Sequence, residues 1–337
     1  MAPIYHGLLK RNITQNILHS GQHYSYEMSE KIMKDLSLPK PNYNLAVGSG
    51  THGKQTGKIM IEIEKIFILK NPTLVIVYGD VNTTLAATIT AKKLNIKVAH
   101  VESGLRSRDM TMAEEQNRIM VDSISDILFV TEESGMRNLK NENISGKAYL
   151  VGNTMIDSLV SIMKNKRNLN HEKIILSFHR PYNVDKRENL DSIINFFANR
   201  EEHFLWPIHF RTKQAIENFN LKNKLGQIKN LEIKDPLGYC EFIRLLSGSR
   251  CIITDSGGIQ EEATYLKVPC LTFRKSTERP VTIEKGTNTL TPSFEDLTLN
   301  LNKILIGDYK TGEIPKYWDG DAASRIVDII INKITDS

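Results

Sequence analysis

The sequence has little cysteine. Three occur in 337 residues, Cys240, Cys251 and Cys270. They form no CxxC pair and sit beside apolar neighbours, which argues against a disulfide framework or a zinc site and leaves buried free thiols as the expectation. No apolar run approaches the ~18 residues that a membrane-spanning helix needs, and the opening MAPIYHGLLKRN lacks the apolar core of a signal peptide. The expected location is therefore the cytoplasm, away from the membrane. There is also no dense block of one charge sign. The formal net charge is +5, but basic residues alternate with acids, as in EIEKIF and KKLNIKVAHVESGLRSRD. A modest positive balance suits an anionic small molecule as well as nucleic acid, and charge alone does not choose. Short-period repeats and low-complexity segments are absent too.

What is present is an ordinary globular composition, 40% hydrophobic and 25% charged, at a length that favours two domains. Short apolar runs, among them TLVIVYGD, IKVAHVESG, DILFVT, KIILSFHR, HFLWPIHF and CIITDSGG, alternate with helix-length amphipathic segments. Strands that are apolar throughout, separated by helices, indicate a parallel sheet covered on both faces, hence an α/β fold. The rhythm pauses at a polar Asn/Lys-rich stretch, which puts a junction near Thr154–Lys173, with residues 1–155 and 156–320 as the two domains. Two doubly wound domains bind ligand outside the carboxyl ends of their strands. APIYHGLLKR reads as a helix, so the sequence opens partway through a βα unit.

Several strand ends carry chemistry-bearing residues, each with a plain alternative. CIITDSGGIQEEATYL hands a strand over to Ser256, Gly257 and Gly258 and then to a helix. Glycines let backbone amides approach an anion, and a helix N-terminus adds unpaired N–H groups and partial positive charge. Those three residues alone suit a simple tight turn equally well. A carboxylate one turn in, from Glu261 or Glu262, can accept bonds from sugar hydroxyls, which tilts the reading toward a nucleotide. The plain alternative is a glutamate that complements the helix dipole. Asp80 closes the strand in VYGDVNTTLAA, where Asn82, Thr83 and Thr84 are able to cap the next helix. Taken alone it reads as a turn residue. Glu102 ends another strand, and Glu114 and Glu115 open a helix in which an i,i+4 pair with Arg118 is the unremarkable account. Carboxylate clusters following several strands of one domain, opposite a phosphate-type turn in the other, point to acid/base work. His179 with Arg180, and His209 with Arg211, follow strands as well, where cations can neutralise a departing diphosphate. FRKSTERP adds Arg274, Lys275, Thr277, Glu278 and Arg279, with a solvated charge run as the alternative, preferred for Lys275.

Together HSGQHY, VGSGTHGKQTG, YGDVNTTLAA, HVESGLRS, EEQNR, VGNT, HRPYNVD, PIHFRT, TDSGGIQEEA and TERP resemble the non-hydrolysing UDP-N-acetylglucosamine 2-epimerases over nearly the whole chain, most closely an archaeal-type branch. The resemblance implies two Rossmann-like domains in the glycosyltransferase-B arrangement, a homodimer, no metal or other cofactor, and a C-terminal helix within residues 321–337 packed back on the first domain. It implies a UDP-sugar substrate and reversible C2 epimerisation through loss of UDP and its re-addition. By motif, Asp80, Glu102 and Glu114 match the acid/base carboxylates, with the one that touches C2 left open. His179 matches a histidine near the diphosphate, adjoined by Arg180. Ser256, Gly257 and Gly258 match the phosphate turn, Glu262 the acid on the ribose, Phe242 the aromatic beside uracil, and Arg279 the arginine of the TERP loop. The pattern departs at its start, where the family's first strand and GTRPE loop have no counterpart, and at Ser103, Ala113 and Tyr182. A related epimerase for a diacetamido-uronic acid nucleotide, and a non-catalytic UDP-sugar-binding homologue, are the rival readings.

Overall fold

A computed structural model describes residues 1–21, 26–163 and 173–335. Part of the HSGQHY motif and residues 164–172 of the expected junction lie outside them. The chain divides into two compact units, residues 1–161 with 316–337, and residues 162–315.

Among its described residues the first unit holds six strands: β1 (Leu18–His19), β2 (Tyr43–Asn44), β3 (Leu74–Tyr78), β4 (Lys97–Ser103), β5 (Ile127–Val130) and β6 (Lys147–Leu150). Among the described residues they form two parallel ladders, β1-β2 and β3-β4-β5-β6, with no strand joining them. The opening residues form a helix, Ala2–Lys10, with Pro3 in its first turn, where the missing N–H costs nothing. β5 is ILFV, buried at every position, as expected of a strand covered on both faces. Ile59, Ile63 and Phe67 of the helix His52–Lys70 cover one side with Ala86, Val98 and Val121. Ile4, Leu8, Ile326 and Ile330 pack with Val101 and Phe129 in a separate cluster.

Residues 316–337 return to this unit through specific ties. Trp318 donates from Nε1 to the Thr131 carbonyl at 3.1 Å. Asp157 accepts the amides of Ala322 at 3.1 Å and Ala323 at 2.6 Å, capping the last helix, Ala322–Thr335. Gly152 has φ +92°, and a Cβ there would meet the Tyr317 carbonyl oxygen at 2.0 Å, so only glycine admits the returning segment. These contacts put the crossings at residues 161 and 315, where the sequence suggests 155 and 320.

The second unit is one six-stranded parallel sheet: β7 (Ile174–Ser177), β8 (Phe204–Pro207), β9 (Leu231–Lys234), β10 (Cys251–Thr254), β11 (Cys270–Thr272) and β12 (Asn288–Leu290). Its order is β12-β11-β10-β7-β8-β9, the doubly wound pattern, whose direction reverses between β7 and β10. An aromatic core of Phe178, Phe197, Phe204 and Trp206 fills one side. Cys251 and Cys270 are buried free thiols and Cys240 a half-buried one; burial pushes the Cys251 thiol well above its usual range.

Candidate active site

In the first unit the acids gather after β3 and β4. Asp80 follows Gly79, whose φ is +64°. The Asp80 carboxylate pairs with Arg118, and its backbone carbonyl accepts from Asn117 Nδ2 at 2.8 Å. Asn82 to Thr84 do not cap the following helix: Val81 is its N-cap, Asn82 donates to Gln55 at 2.8 Å, and Thr84 donates to the Tyr78 carbonyl at 2.7 Å. Glu102 sits at a register shift in β4 with φ +76°, a left-handed conformation that costs a non-glycine residue about 1–3 kcal/mol and persists only where the surroundings impose it. Its Oε2 comes within 3.6 Å of where a Cβ on Gly79 would lie. The strand order thus brings Glu102 beside the Gly79–Asp80 turn.

Glu114 is half-buried in the first turn of the helix Ala113–Ile124. The arginine expected to pair with it is engaged elsewhere, because Arg118 Nη2 lies 2.9 Å from Glu115 while Nη1 takes Asp80. Glu115 also accepts the amides of Ser107 at 2.8 Å and Arg108 at 2.9 Å. Burial works against its charge, but these donors and Arg118 hold its carboxyl below the ordinary range. Beneath the acids His100 pairs with Asp122 at 2.7 Å, a contact that local sequence did not reveal. A cavity of about 410 Å³ elsewhere in this unit, lined by His6, Lys10, Arg11 and Asp157 among others, includes none of these acids.

In the second unit the candidate residues converge on the reversal point of the sheet. Thr254 pairs in register with Ser177, so the residues just beyond β10 face the loop beyond β7. Asp255, fully buried, accepts the His179 amide at 3.0 Å, the Arg180 amide at 3.0 Å and Asn183 Nδ2 at 2.9 Å. It fixes the His-Arg loop to the Ser-Gly-Gly turn, a role that sequence reasoning missed. The His179 ring sits 3.5 Å from Asp255 and packs against His209 with centroids 4.8 Å apart and the ring planes tilted by 33°. Burial, with Arg180, Arg211 and Arg274 nearby, pulls His179 below the usual histidine range despite Asp255. His209 caps the next helix by accepting the Arg211 amide at 3.2 Å. Arg211 forms an exposed two-pronged ion pair with Asp185 at 2.8 and 2.7 Å, so its guanidinium is engaged there.

Ser256 is the N-cap of the helix Gly257–Leu266 and its side chain makes no capping bond, so the first-turn amides receive neither a side-chain cap from it nor an intrahelical partner. A Cβ on Gly257 would meet Arg279 Nη1 at 2.6 Å and Glu278 Oε1 at 2.8 Å. A larger residue here would displace the Arg279 and Glu278 side-chain ends, so the TERP loop packs closely on the turn. Gln260 accepts from Thr277 at 2.8 Å, and Arg279 Nε lies 3.0 Å from Glu261. Glu261 therefore anchors that loop through an ion pair. The charge run is not solvated as a whole: Lys275 is exposed, while Arg274 is buried against Glu278 at 3.0 Å. Burial lifts Glu262 to about 7, partly offset by the Tyr239 hydroxyl. Phe242 packs at the half-buried margin of the Leu246 and Ala263 cluster.

Comparison with known proteins decides the family. The model described as UDP-N-acetylglucosamine 2-epimerase matches residues 8–331. The chain belongs to the UDP-N-acetylglucosamine 2-epimerase family. Within it, a UDP-N-acetylglucosamine 2-epimerase of Methanocaldococcus jannaschii is 41% identical, covering 98% of this chain and 94% of that protein. A crystal structure of the M. jannaschii UDP-GlcNAc 2-epimerase in complex with UDP-GlcNAc and UDP aligns at a TM-score of 0.91 with 41% identity, over 98% of this chain and 95% of that one. A UDP-2,3-diacetamido-2,3-dideoxy-D-glucuronate 2-epimerase of Pseudomonas aeruginosa is 36% identical over 95% of this chain and 92% of its own length. The fold is α/β with Rossmann-like units, the chain is an isomerase, and no helix among the described residues is long and apolar enough to cross a membrane.

Proposed function

We propose that this chain interconverts UDP-N-acetylglucosamine and UDP-N-acetylmannosamine. The observation that carries the reading is the Asp80–Glu102 pair, two carboxylates brought to the ends of neighbouring strands, one held in a backbone conformation that its residue type disfavours. In this reading Asp80, Glu102 and Glu114 share removal and return of the C2 proton. The C2–H electrons form a C1=C2 double bond, the C1–O bond breaks with its electrons leaving on UDP, and 2-acetamidoglucal remains. Re-addition of UDP with proton delivery to the opposite face gives the epimer. The second unit takes the nucleotide: the Ser256–Gly258 amides, Arg180 and Arg279 engage the diphosphate, with neutral His179 as hydrogen-bond partner, Glu262 the ribose and Phe242 the uracil. His209 supports His179 through their tilted ring contact, and Arg211 acts through the charge it adds beside them. A homodimer is the expected assembly, and the exposed Ile61, Ile68 and Leu69 on the helix His52–Lys70 give it an apolar surface to bury. Light scattering checks this: Ile68→Glu with Leu69→Glu is expected to yield monomers.

Proton NMR of the chain with UDP-N-acetylglucosamine in deuterated water tests the reading. A second N-acetylhexosamine spin system and deuterium at C2 of both epimers are expected. Free N-acetylmannosamine would indicate the hydrolysing reaction, and UDP binding without exchange a non-catalytic homologue. The identity to the P. aeruginosa protein supports a second reading with a diacetamido-uronate nucleotide; that substrate run alongside decides between them by relative kcat/KM.

A further inference from the structure

His100, in the middle of β4, is fully buried and has no part in the chemistry just proposed. Both ring nitrogens face acceptors. Nδ1 lies 2.7 Å from Asp122 Oδ1, and Nε2 lies 2.9 Å from the Gly79 carbonyl oxygen. A carbonyl only accepts. Asp122 is likewise an acceptor, because its Oδ2 already takes the Gly104 amide at 3.0 Å and Arg106 Nη1 at 2.7 Å. With an acceptor at each nitrogen the ring holds both protons and a positive charge. The charged groups around it are Asp122 and Arg106, which share the carboxylate, and Glu102, whose charge favours the imidazolium.

The two partners of the ring are the two acid-bearing turns. The Gly79 carbonyl immediately precedes Asp80. Asp122 reaches, through the Gly104 amide, the turn that follows Glu102. Gly79, Glu102 and Gly104 all have positive φ, +64°, +76° and +81°, so three left-handed positions are tied to one buried pair. Strained backbone needs such over-determination to persist, and a pair of carboxylates needs a nearby cation to stay close while charged.

Resting on the epimerase reading above, we propose that His100, as a buried imidazolium, is a positioning residue that sets the spacing of Asp80 and Glu102 for proton transfer at C2. It touches no substrate. Its loss therefore acts on kcat, which reports the transition state, and leaves KM and nucleotide affinity in place.

His100→Gln keeps a polar side chain and removes the charge. The expected result is a fall in kcat of about 100-fold, the scale of an ångström-size misplacement, with KM and the UDP dissociation constant within about threefold of wild type. Asp122→Asn, which leaves the ring without its counter-ion, is expected to give the same split. A kcat within about threefold of wild type in a folded His100→Gln protein overturns the proposal. Should both variants fail to fold, ¹⁵N spectra of the histidine-labelled wild type at about pH 7.5 decide it: two protonated ring nitrogens on His100 uphold the imidazolium, and a neutral tautomer overturns it. A wild type with no C2 exchange instead defeats the epimerase reading, independently of the ring's charge.

Discussion

Two histidines, one in each unit, carry opposite tendencies. Each stands beside a buried aspartate, His100 in the middle of β4 and His179 just beyond the carboxyl end of β7. Asp122 meets the His100 ring directly at 2.7 Å, with a carbonyl on the ring's other side, so the proton is held. Asp255 spends its oxygens on the His179 and Arg180 amides and on Asn183, and stays 3.5 Å from the His179 ring. Burial and three arginines then favour the neutral ring. A neighbouring aspartate therefore does not define a histidine's charge; what the aspartate already accepts does. In the acid-rich unit a fixed cation offsets clustered carboxylates. In the second unit an uncharged ring stands among arginines without adding to their repulsion, which suits the diphosphate contact proposed for it.

The comparison breaks first at Asp255. Asp255→Ala strands buried N–H donors of the His-Arg loop, so a loss of about 3–5 kcal/mol in urea unfolding is expected, together with lost UDP affinity; a variant of unchanged stability would deny Asp255 this role. Glu262 sharpens the contrast through pH. Ribose hydroxyls donating to Glu262 favour its charged form, so binding lowers a carboxyl that titrates near 7 in the free protein and releases protons. UDP affinity should then weaken as pH falls below 7, by up to about tenfold per unit. Calorimetry in buffers of different ionisation enthalpy reads the proton release, and Glu262→Gln should abolish it. Glu102→Gly removes a left-handed glutamate and is expected to raise the first unit's stability by about 1 kcal/mol, seen as a higher Tm. The smallest effect belongs to Arg211→Ala: its exposed pair with Asp185 supports at most about 1 kcal/mol, and a UDP affinity loss above tenfold would show that Arg211 binds the diphosphate directly.

Much of the fold was legible because its strands announce themselves. ILFV, IILS and CIIT are apolar at nearly every position, as strands covered on both faces must be, and a helix follows Asp-Ser-Gly-Gly, although it starts at Gly257, two residues before the expected Ile259. The site was legible in residue type and strand-end position, which follow from local sequence. Its couplings were not. His100 finds Asp122 across 22 residues and His179 finds Asp255 across 76, pairings set by strand order and by no local signal. The positive φ of Glu102 coincides with β4's register shift against β5, a feature of strand pairing and not of local sequence. The sequence offered a solvated run as the alternative for the Arg274–Arg279 loop but did not show that Glu278, Glu261 and Gln260 hold its arginines and Thr277 inward, and the Glu114–Arg118 spacing gave no hint that Asp80 would compete for the arginine.

In the proposed function the acids of the first unit carry the proton chemistry and the turn of the second binds the nucleotide, and Glu102→Gln tests this division in one sample. Measured side by side, C2 deuterium exchange is expected to fall by about 10²–10⁴-fold, the usual worth of a general acid or base, while UDP affinity stays within about threefold of wild type. Exchange that survives the substitution, or UDP affinity that falls along with it, would contradict the assignment.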